Sequence, residues 1–549
     1  MESKLFNINY LKSISQFLFL GALTYIFALL STLSVAAESH ISFKVALIQE
    51  LSKNEKAIDF YEKMYFEPIW IGSSEQSALR RAALIQALKN IDIHALPKEN
   101  YRLNEILHMF ENVKTHADLG RLEAELTRSF LLYANHVHSG LLRPKEIDEA
   151  IAYDVKYMST HDYLEGLTGK NPTKFIKSLP PQSREYYRLL GARQNLLKIQ
   201  EKGGWGPLVP IGEYRLGDSG LNVIRLRDRL ISKNYLARSM SINFDEKMLR
   251  AVIKFQKDHG LATDGVVGES TITEINQSAV ERLKAVIVAM ERERWQNQSS
   301  INSNQRVQRK ILVNLTDFTA KIIDNEVVTF ETKSVVGANE EDRRSPEFSD
   351  FMDHIVINPT WYVPRSITVN EYLPELQMDP TLHSELTLIT ADGITISREE
   401  IDFNLFDEDT FPFEMKQNPS SSNALGLVKF MFPNRHNIYL HDTPHKKLFL
   451  EEQRTFSHGC IRLHKPFEFA YNLLALQLDD PISKFQSILQ TGEETMVLLD
   501  QSIPVHIFYR TAVSAGEGRM GYRRDIYGRD LLIFTALSEA GVVIHQNQG

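Results

Sequence analysis

The chain has 549 residues, of which 43% are hydrophobic and 24% charged, and its formal net charge is −8. At this length two or more domains are expected, and the composition excludes collagen-like and wholly disordered proteins. No dense basic block occurs along the chain, so the sequence predicts no nucleic-acid partner.

The N-terminal segment has the pattern of an export signal. Lys4 and Lys12 precede an uncharged, largely apolar run at residues 13–37, which ends in the small residues Val35-Ala36-Ala37. The run is long enough to span a bilayer, so residues 1–37 are predicted to be either a cleaved signal peptide or an inner-membrane anchor through residues 13–37. Either alternative predicts an exported protein.

Residues 38–205 are predicted to form a helical scaffold domain. Apolar residues recur there at helical spacing, and a glycine follows at the position where a helix would stop. These residues are Leu122, Leu126, Phe130, Ala134, Val137 and Gly140. The pattern is typical of a hydrophobic core, and nothing in this region indicates a second active site.

Residues 211–278 have the pattern of a compact unit of three short helices joined by glycine turns. Such a unit could be a helix-turn-helix DNA reader, but its arginines are offset by acidic residues and the protein carries an export signal. A long amphipathic helix is then expected from Thr271 to Trp295, and a polar linker from Asn297 to Gln305. Residues 279–308 are assigned to this helix and linker.

From Lys310 the periodicity changes to that of short β-strands, with a hairpin turn predicted at Asp324-Asn325. Many short strands separated by turn signals predict a sandwich-like or barrel-like core over residues 309–500. The strand pattern lapses at residues 365–424. This insertion is predicted to be a lid over a cleft, and the alternative is a solvated surface excursion. Residues 501–549 are assigned to C-terminal strands and a tail.

The only cysteine of the chain, Cys460, lies in Ser457-His458-Gly459-Cys460-Ile461-Arg462. A thiol with histidines nearby is the minimum for an activated cysteine nucleophile, and His441 lies within folding reach. A lone cysteine is more often an inert buried residue. In an oxidising compartment, however, structural cysteines come in pairs, so a single one favours a reactive thiol.

A metal site is the second alternative for this stretch, because His441, His445, His458 and Cys460 are all zinc-type ligands. His441 and His445 have helical spacing, but Pro444 between them argues against that helix. His458 and Cys460 are separated by a single residue, which is shorter than the usual gap between zinc ligands. The sequence therefore predicts neither a metal nor any other cofactor.

These motifs resemble a known family. His441 followed by Ser457-His458-Gly459-Cys460 and Arg462 is similar to the signature of the L,D-transpeptidase (YkuD) family. The segments 358–364 and 438–444 resemble its large periplasmic YcbB-type branch. One departure is Lys465, where many members carry asparagine, which puts the cap of the following helix in doubt.

The resemblance implies a multidomain α+β chain. A helical scaffold and a three-helix domain similar to peptidoglycan-binding domains precede a mostly β, sandwich-like catalytic domain of the YkuD type with a capping insertion. Cys460 is the implied nucleophile and His441 its general base, with His458 as the second choice. Asp442 is a possible orienter of His441, and the Gly459 N–H a possible oxyanion donor.

Substrate contacts are predicted on the same stretch. Arg462 has the planar fork that suits a carboxylate, with a structural ion pair as the alternative role. Trp361, Tyr439 and Ser457 are predicted to line the cleft. The expected partners are peptidoglycan stem peptides and glycan, together with cell-wall synthesis proteins.

The activity implied by the resemblance is transfer of a stem-peptide acyl group through a thioester, which makes 3→3 cross-links. Carbapenem-type β-lactams would then acylate Cys460. The alternatives are a carboxypeptidase that uses the same nucleophile, with water in place of the acceptor amine, and a non-catalytic wall-binding protein.

Overall fold

The computed structural model describes residues 40–297, 309–516 and 518–544. The segment expected to be a signal peptide or membrane anchor, residues 1–37, lies outside the described residues, as does most of the expected linker. Within the part of the chain that the structure describes, no helix is both long and apolar enough to cross a membrane.

The first part of the described chain is helical, as predicted. Its longest helix begins at a capping box formed by Thr115 and Asp118 and ends at Gly140, the predicted stop. An apolar core forms around this helix. The helices are α1 (40–50), α2 (Glu55–Lys63), α3 (Glu75–Lys89), α4 (Leu103–Glu111), α5 (His116–Ser139), α6 (Pro144–Ile147), α7 (Thr160–Thr168), α8 (Pro172–Ser178) and α9 (Arg184–Glu201), with 3-10 turns at Ile91–His94 and Lys98–Tyr101.

The predicted three-helix unit is present. It consists of α10 (Leu221–Ser232), α11 (Glu246–Asp258) and α12 (Glu269–Asn276), packed around an apolar core of their own. The side chain of Asp245 accepts a hydrogen bond from the Met248 N–H and so caps α11.

The prediction of one long helix from Thr271 to Trp295 is wrong, because α12 ends at Asn276 and a new helix, α13 (Ala279–Trp295), begins after Ser278. The Ser278 side chain accepts from the Glu281 N–H, which satisfies a donor at the start of α13. The helix is not amphipathic either. Its charged residues Arg282, Glu291, Arg292, Glu293 and Arg294 are buried along with its apolar ones.

The last part of the described chain contains fifteen strands. They are β1 (Arg309–Asn314), β2 (Thr319–Asp324), β3 (Val327–Gly337), β4 (Phe348–Ile357), β5 (Trp361–Tyr362), β6 (Thr387–Ile389), β7 (Thr395–Ile396), β8 (Glu414–Gln417), β9 (Val428–Met431), β10 (Leu440–His441), β11 (Thr455–Ser457), β12 (Ile461–Leu463), β13 (Thr495–Phe508), β14 (Ala512–Gly516) and β15 (Arg519–Tyr522).

Nine of these strands form a barrel-like sheet, in agreement with the prediction. The order is β11-β3-β12-β10-β9-β4-β13-β1-β2, and β2 also pairs with β3, which closes the sheet on itself. Pairing is parallel for β1/β13, β10/β12 and β11/β3 and antiparallel elsewhere. The helices α16 (Pro466–Leu474) and α17 (Pro481–Leu489) pack Phe469, Leu473 and Phe485 onto its core.

The insertion at residues 365–424, here called the cap, is folded. With β5 it forms a four-stranded sheet in the order β5-β8-β6-β7 and has its own apolar core. Its helices are α14 (Arg365–Ile367) and α15 (Leu373–Met378), joined by a π-helical turn at Thr368–Tyr372. Further 3-10 turns lie at Arg398–Glu400 and Phe403–Leu405 in the cap, and at Lys446–Leu450 beyond it.

The C-terminal assignment needs correction. The boundary expected at residue 500 falls inside β13, which pairs with both β1 and β4. The polar run Asp500-Gln501-Ser502 resembles a turn, but the ladder shifts register there and the strand continues. The expected tail contains a helix, α18 (Arg529–Glu539), and residues 545–549 lie outside the described chain.

Candidate active site

Two short parallel strands bring the predicted site residues together. β10 and β12 pair Leu440 with Ile461 and His441 with Arg462. Leu440 and Ile461 are buried in the barrel core. Because side chains alternate along a strand, Tyr439, His441 and Arg462 project from the opposite face, with Cys460 immediately before β12.

The turn that carries Cys460 depends on Gly459, which has a φ of +105°. Only glycine adopts this conformation without strain, and an added Cβ would lie 3.1 Å from Ile438 Cδ1. The Ser457 hydroxyl donates to the Cys460 carbonyl at 2.5 Å and accepts from the Gly459 N–H at 3.3 Å. Ser457 is buried and fixes the turn, so it does not line the cleft as predicted. The Gly459 N–H, the predicted oxyanion donor, already has this partner.

The sulfur of Cys460 is half-buried and neutral. Its thiol donates to the Asn437 carbonyl at 3.6 Å, which is consistent with a protonated sulfur. Burial raises the pKa of Cys460 to about 11, while hydrogen bonding from Tyr439 and the charge of Arg462 act in the opposite direction. Tyr439 therefore contacts the sulfur directly, rather than only walling the cleft.

His441 is buried, and burial together with the charge of Arg462 lowers its pKa to about 3, although backbone groups of Asp442 and Leu425 act in the opposite direction. Its Nδ1 has no hydrogen-bond partner among the described residues. The ring lies 5.6 Å from the ring of Tyr439, centroid to centroid. No hydrogen bond joins His441 to Cys460 in the described chain, and the shifts of the two pKa values favour a neutral imidazole and a neutral thiol.

Asp442 does not orient His441. Its carboxylate accepts from the Leu427 N–H at 3.0 Å and pairs with Lys446. A Cβ at Gly426 would overlap this carboxylate, so the Asp442 side chain lies close against the backbone just before β9. The Asp442 carboxylate is therefore engaged elsewhere, and it is the backbone of Asp442 that acts on His441.

His458, the second-choice base, is turned toward the cap. Its Nε2 lies 2.8 Å from Oε1 of Glu371, and Arg343 Nη2 lies 2.8 Å from the same oxygen. Glu371 stands on the π-helical turn Thr368–Tyr372, an irregularity that often marks functional positions. Neither Glu371 nor Arg343 was recognised from the sequence, because no local motif marks them and only the fold brings them to His458.

Arg462 forms no ion pair with any described residue, and its Nε is buried without a hydrogen-bond partner. Burial lowers its pKa, and Cys460 and Tyr372 of the cap oppose that shift. The alternative role considered above, a structural ion pair, therefore has no acidic partner in the described chain. A half-buried guanidinium without an ion-pair partner, beside a candidate nucleophile, is suited to bind a ligand carboxylate.

Trp361 packs against Tyr372 of the cap. It belongs to β5 and pairs with Gln417, and the two rings meet edge-on with their centroids 6.5 Å apart. Lys465 precedes α16 and provides no side-chain cap, as its departure from the family pattern indicated. Its N–H donates instead to the Thr332 hydroxyl at 3.0 Å.

Among the described residues, one group of His, Asp and Glu has ligand atoms close enough to hold a metal ion. It consists of His161, Asp162 and Glu165, which lie exposed on α7. The four zinc-type residues considered from the sequence form no such group. The site can thus supply a thiol, an imidazole and a cation, a set suited to attack on the carbonyl of a carboxylate-bearing ligand.

Three segments of the sequence match known families. Residues 55–192 match a scaffold domain, residues 219–275 a family described as "Putative peptidoglycan binding domain", and residues 308–491 the L,D-transpeptidase catalytic domain, YkuD. The third segment contains every predicted site residue.

A Haemophilus influenzae protein (strain ATCC 51907 / DSM 11121 / KW20 / Rd) described as "Putative L,D-transpeptidase" is 29% identical over 222 residues. The match spans 40% of this chain and 44% of that protein's length. The chain is also similar to solved L,D-transpeptidases from Xylanimonas cellulosilytica DSM 15894 and Stackebrandtia nassauensis, at 13% and 14% identity and TM-scores of 0.16 and 0.21. Each of these matches covers 55% of this chain, and 98% and 97% of the respective structures.

The family match coincides with the barrel-like sheet and with the paired strands that carry Cys460 and His441. Residues 308–491 thus match the L,D-transpeptidase catalytic domain of the YkuD family, in a chain that also has segments matching a scaffold domain and a peptidoglycan-binding domain.

Proposed function

We propose that this protein is a peptidoglycan L,D-transpeptidase that forms 3→3 cross-links between stem peptides through a thioester on Cys460. The observation that carries the proposal is the arrangement on β10 and β12, where Cys460, His441 and an unpaired Arg462 share one face. The family match of the domain supports the same reaction class.

Arg462 is proposed to bind a carboxylate of the donor stem peptide. In the free protein its positive charge helps to lower the pKa of His441. A bound carboxylate would offset that charge, and His441 would become more basic when the donor occupies the site. The neutral pair seen in the free protein would then be activated by the substrate itself.

The proposed reaction has two acyl-transfer steps. The Cys460 proton moves to His441 while the sulfur attacks the carbonyl carbon that precedes the terminal D-alanine of a tetrapeptide. The tetrahedral intermediate collapses, and the departing D-alanine amine takes the proton from His441. The side-chain amine of a second stem then attacks the thioester, loses its proton to His441 and releases the thiol.

The proposed location is the periplasm, with peptidoglycan stem peptides and glycan as the substrates. Cell-wall enzymes that supply tetrapeptide donors are the proposed partners. The peptidoglycan-binding-type domain at residues 219–275 supports a cell-wall location, and the export pattern of residues 1–37 is consistent with it.

The test is intact-protein mass spectrometry on the wild type and on Cys460→Ala, each incubated with a stem tetrapeptide or with a carbapenem. The wild type is expected to gain one acyl adduct, and the variant none. Chromatography of the peptide products then separates a cross-linked dimer from free tripeptide.

Each outcome decides between the candidates. A dimer supports the transpeptidase, whereas tripeptide alone would indicate a carboxypeptidase with the same nucleophile. No adduct on the wild type, in a preparation that melts cooperatively, would contradict both and favour a non-catalytic protein that binds the cell wall.

A further inference from the structure

A cavity that contains none of the predicted site residues lies where three parts of the chain meet. These are the helical scaffold, the three-helix unit and the hairpin formed by β14 and β15. The volume of the cavity is about 390 Å³, within the range of small-molecule sites. α9 contributes Arg188, Gly191, Ala192 and Asn195, the three-helix unit contributes Ser232–Tyr235 and His259, and the hairpin contributes Ser514, Met520 and Tyr522.

The chemistry of the lining is cationic and aromatic. None of the described residues that line the cavity carries a carboxylate, whereas four of them are Arg or Lys. Arg188, Arg282 and Arg519 have carboxylate partners, which are Glu185, Glu274 and Asp258, respectively. Lys233, in contrast, forms no ion pair in the described chain.

Lys233 lies over the indole ring of Trp205, with Nζ 3.2 Å from the ring centroid. Burial lowers the pKa of Lys233 well below its usual value, and the charges of Arg282 and Arg229 add to that shift. An anion beside Lys233 would raise this pKa again, because it would offset both the burial and the repulsion from the two arginines. The Trp205 Nε1–H is a buried donor with no hydrogen-bond partner among the described residues, so a second polar group at this wall is left unsatisfied.

We propose that this cavity binds a carboxylate-bearing amino sugar of the cell-wall glycan at a position where no stem peptide is attached to that carboxylate, with the carboxylate on Lys233 and the sugar ring against the aromatic residues. Aromatic faces suit the apolar faces of sugars, and the amides of Asn195 and Asn234 suit their hydroxyl and acetamido groups. The proposal rests on the proposed function only in taking the cell wall as the source of the ligand. Binding in this cavity would hold the enzyme on a glycan strand through residues of all three segments, not through the three-helix unit alone.

The test uses the full chain and tryptophan fluorescence, titrated with N-acetylmuramic acid and with the neutral N-acetylglucosamine. The wild type is expected to bind the acidic sugar at least tenfold more tightly than the neutral one. Lys233→Gln is expected to lose that preference. Lys202→Gln, which changes an exposed lysine just after α9, is the matched control and is expected to keep it.

A second variant tests the cavity itself. A Cβ at Gly191 meets no atom within 4 Å, so Gly191→Phe can occupy the open space without strain. This variant is expected to bind neither sugar. Equal binding of the two sugars by the wild type, unchanged binding in Lys233→Gln, or no binding at millimolar concentration would each overturn the proposal.

The proposed function is tested separately in the same preparations. Acylation of Cys460 by a tetrapeptide without sugar involves only the catalytic domain, and Lys233→Gln is expected to retain it at the wild-type rate. Loss of sugar binding with intact acylation would therefore implicate the cavity alone. Failure of acylation in the wild type would count against the transpeptidase proposal and leave the sugar titration valid.

Discussion

The reactivity of Cys460 is governed by the burial that raises its thiol pKa to about 11. The thiolate is the form that reacts with electrophiles, and below the pKa its fraction rises tenfold for each pH unit. Alkylation of the free protein by iodoacetamide, followed by intact mass, is therefore expected to accelerate about tenfold per unit from pH 7 to pH 10. A plateau between pH 6 and 8 would contradict this, because it would mean that a thiolate–imidazolium pair already exists.

Tyr439 is expected to assist the sulfur, because its hydrogen bonding lowers the Cys460 pKa against the effect of burial. Tyr439→Phe removes a hydrogen bond to the charged form, an interaction of about 1.5–3 kcal/mol, so alkylation at pH 9 should slow by about tenfold or more. Tyr362→Phe, on an exposed tyrosine of β5, is the control and should react like the wild type.

The two histidines of the motif are expected to differ in their contributions. His441 shares the face of Cys460, whereas His458 is bound to Glu371. His441→Gln should lower the rate of cross-linking by about 10²–10⁴, the usual contribution of a general base, and His458→Gln by about tenfold or less. Steady-state product formation measures both. A larger loss in His458→Gln would reverse the assignment of the base.

At the scale of elements, the cap is joined to the catalytic turn by Glu371, which binds both His458 and Arg343. Glu371→Gln removes the charge from these contacts. Because such bonds contribute about 1.5 kcal/mol, the amides of residues 365–378 should exchange with solvent about tenfold faster. Hydrogen-exchange mass spectrometry checks this against Glu399→Gln, an exposed residue of the cap. Unchanged exchange would mean that the apolar core of the cap, and not Glu371, holds residues 365–378 in place.

Local chemistry explains which elements could be predicted. The hairpin at Asp324-Asn325 was predictable, because a two-residue turn requires positive φ and asparagine tolerates it. In the structure Asn325 and Glu326 both have positive φ. The break at Ser278 was missed because a serine that caps a helix resembles one that continues it. The strand β13 was divided at residue 500 because the polar residues at its register shift resemble a turn.

The residues of the candidate site also differ in whether they could be predicted from the sequence. Cys460, His441 and Arg462 lie within 22 residues of one another, and the sequence motif brought all three into the predicted site. Glu371 and Ser345, which bond to the neighbouring His458 and Gly459, come from distant parts of the sequence, so only the tertiary structure brings them to the site. Asp442 was assigned from its position next to His441, but its carboxylate bonds to the Leu427 N–H and to Lys446 instead.

At the scale of the whole molecule, one buried carboxylate joins the helical scaffold to the barrel. Glu347 is fully buried, pairs with Arg292 of α13 at 2.5 Å and with Arg529 of α18 at 3.4 Å, and accepts from the Tyr153 hydroxyl at 3.0 Å. Its backbone also bonds to Ala150 and Ala152. Asp530 and Asp148 also pair with these two arginines, so Glu347 lies at the centre of a network that connects residues of both halves.

This network also reaches the catalytic turn. Arg529 donates to the Ser345 carbonyl at 3.0 Å, and the Ser345 hydroxyl donates to the Gly459 carbonyl at 2.7 Å, next to Cys460. A shift of Arg529 would therefore disturb the turn that carries the nucleophile. Stability and reactivity are expected to change together when the charge of Glu347 is removed.

Glu347→Gln tests this coupling, because glutamine keeps the size of the side chain but leaves the buried Arg292 and Arg529 with only Asp530 and Asp148, respectively, as counter-charges. Breaking a buried ion pair from one side costs about 3–5 kcal/mol, so the urea midpoint followed by tryptophan fluorescence should fall markedly. Acylation of Cys460 in the absence of urea should slow as well. Glu341→Gln, which changes an exposed neighbour, is expected to alter neither measurement. A lower midpoint with unchanged acylation would show that the network holds the two halves together without influencing the catalytic turn.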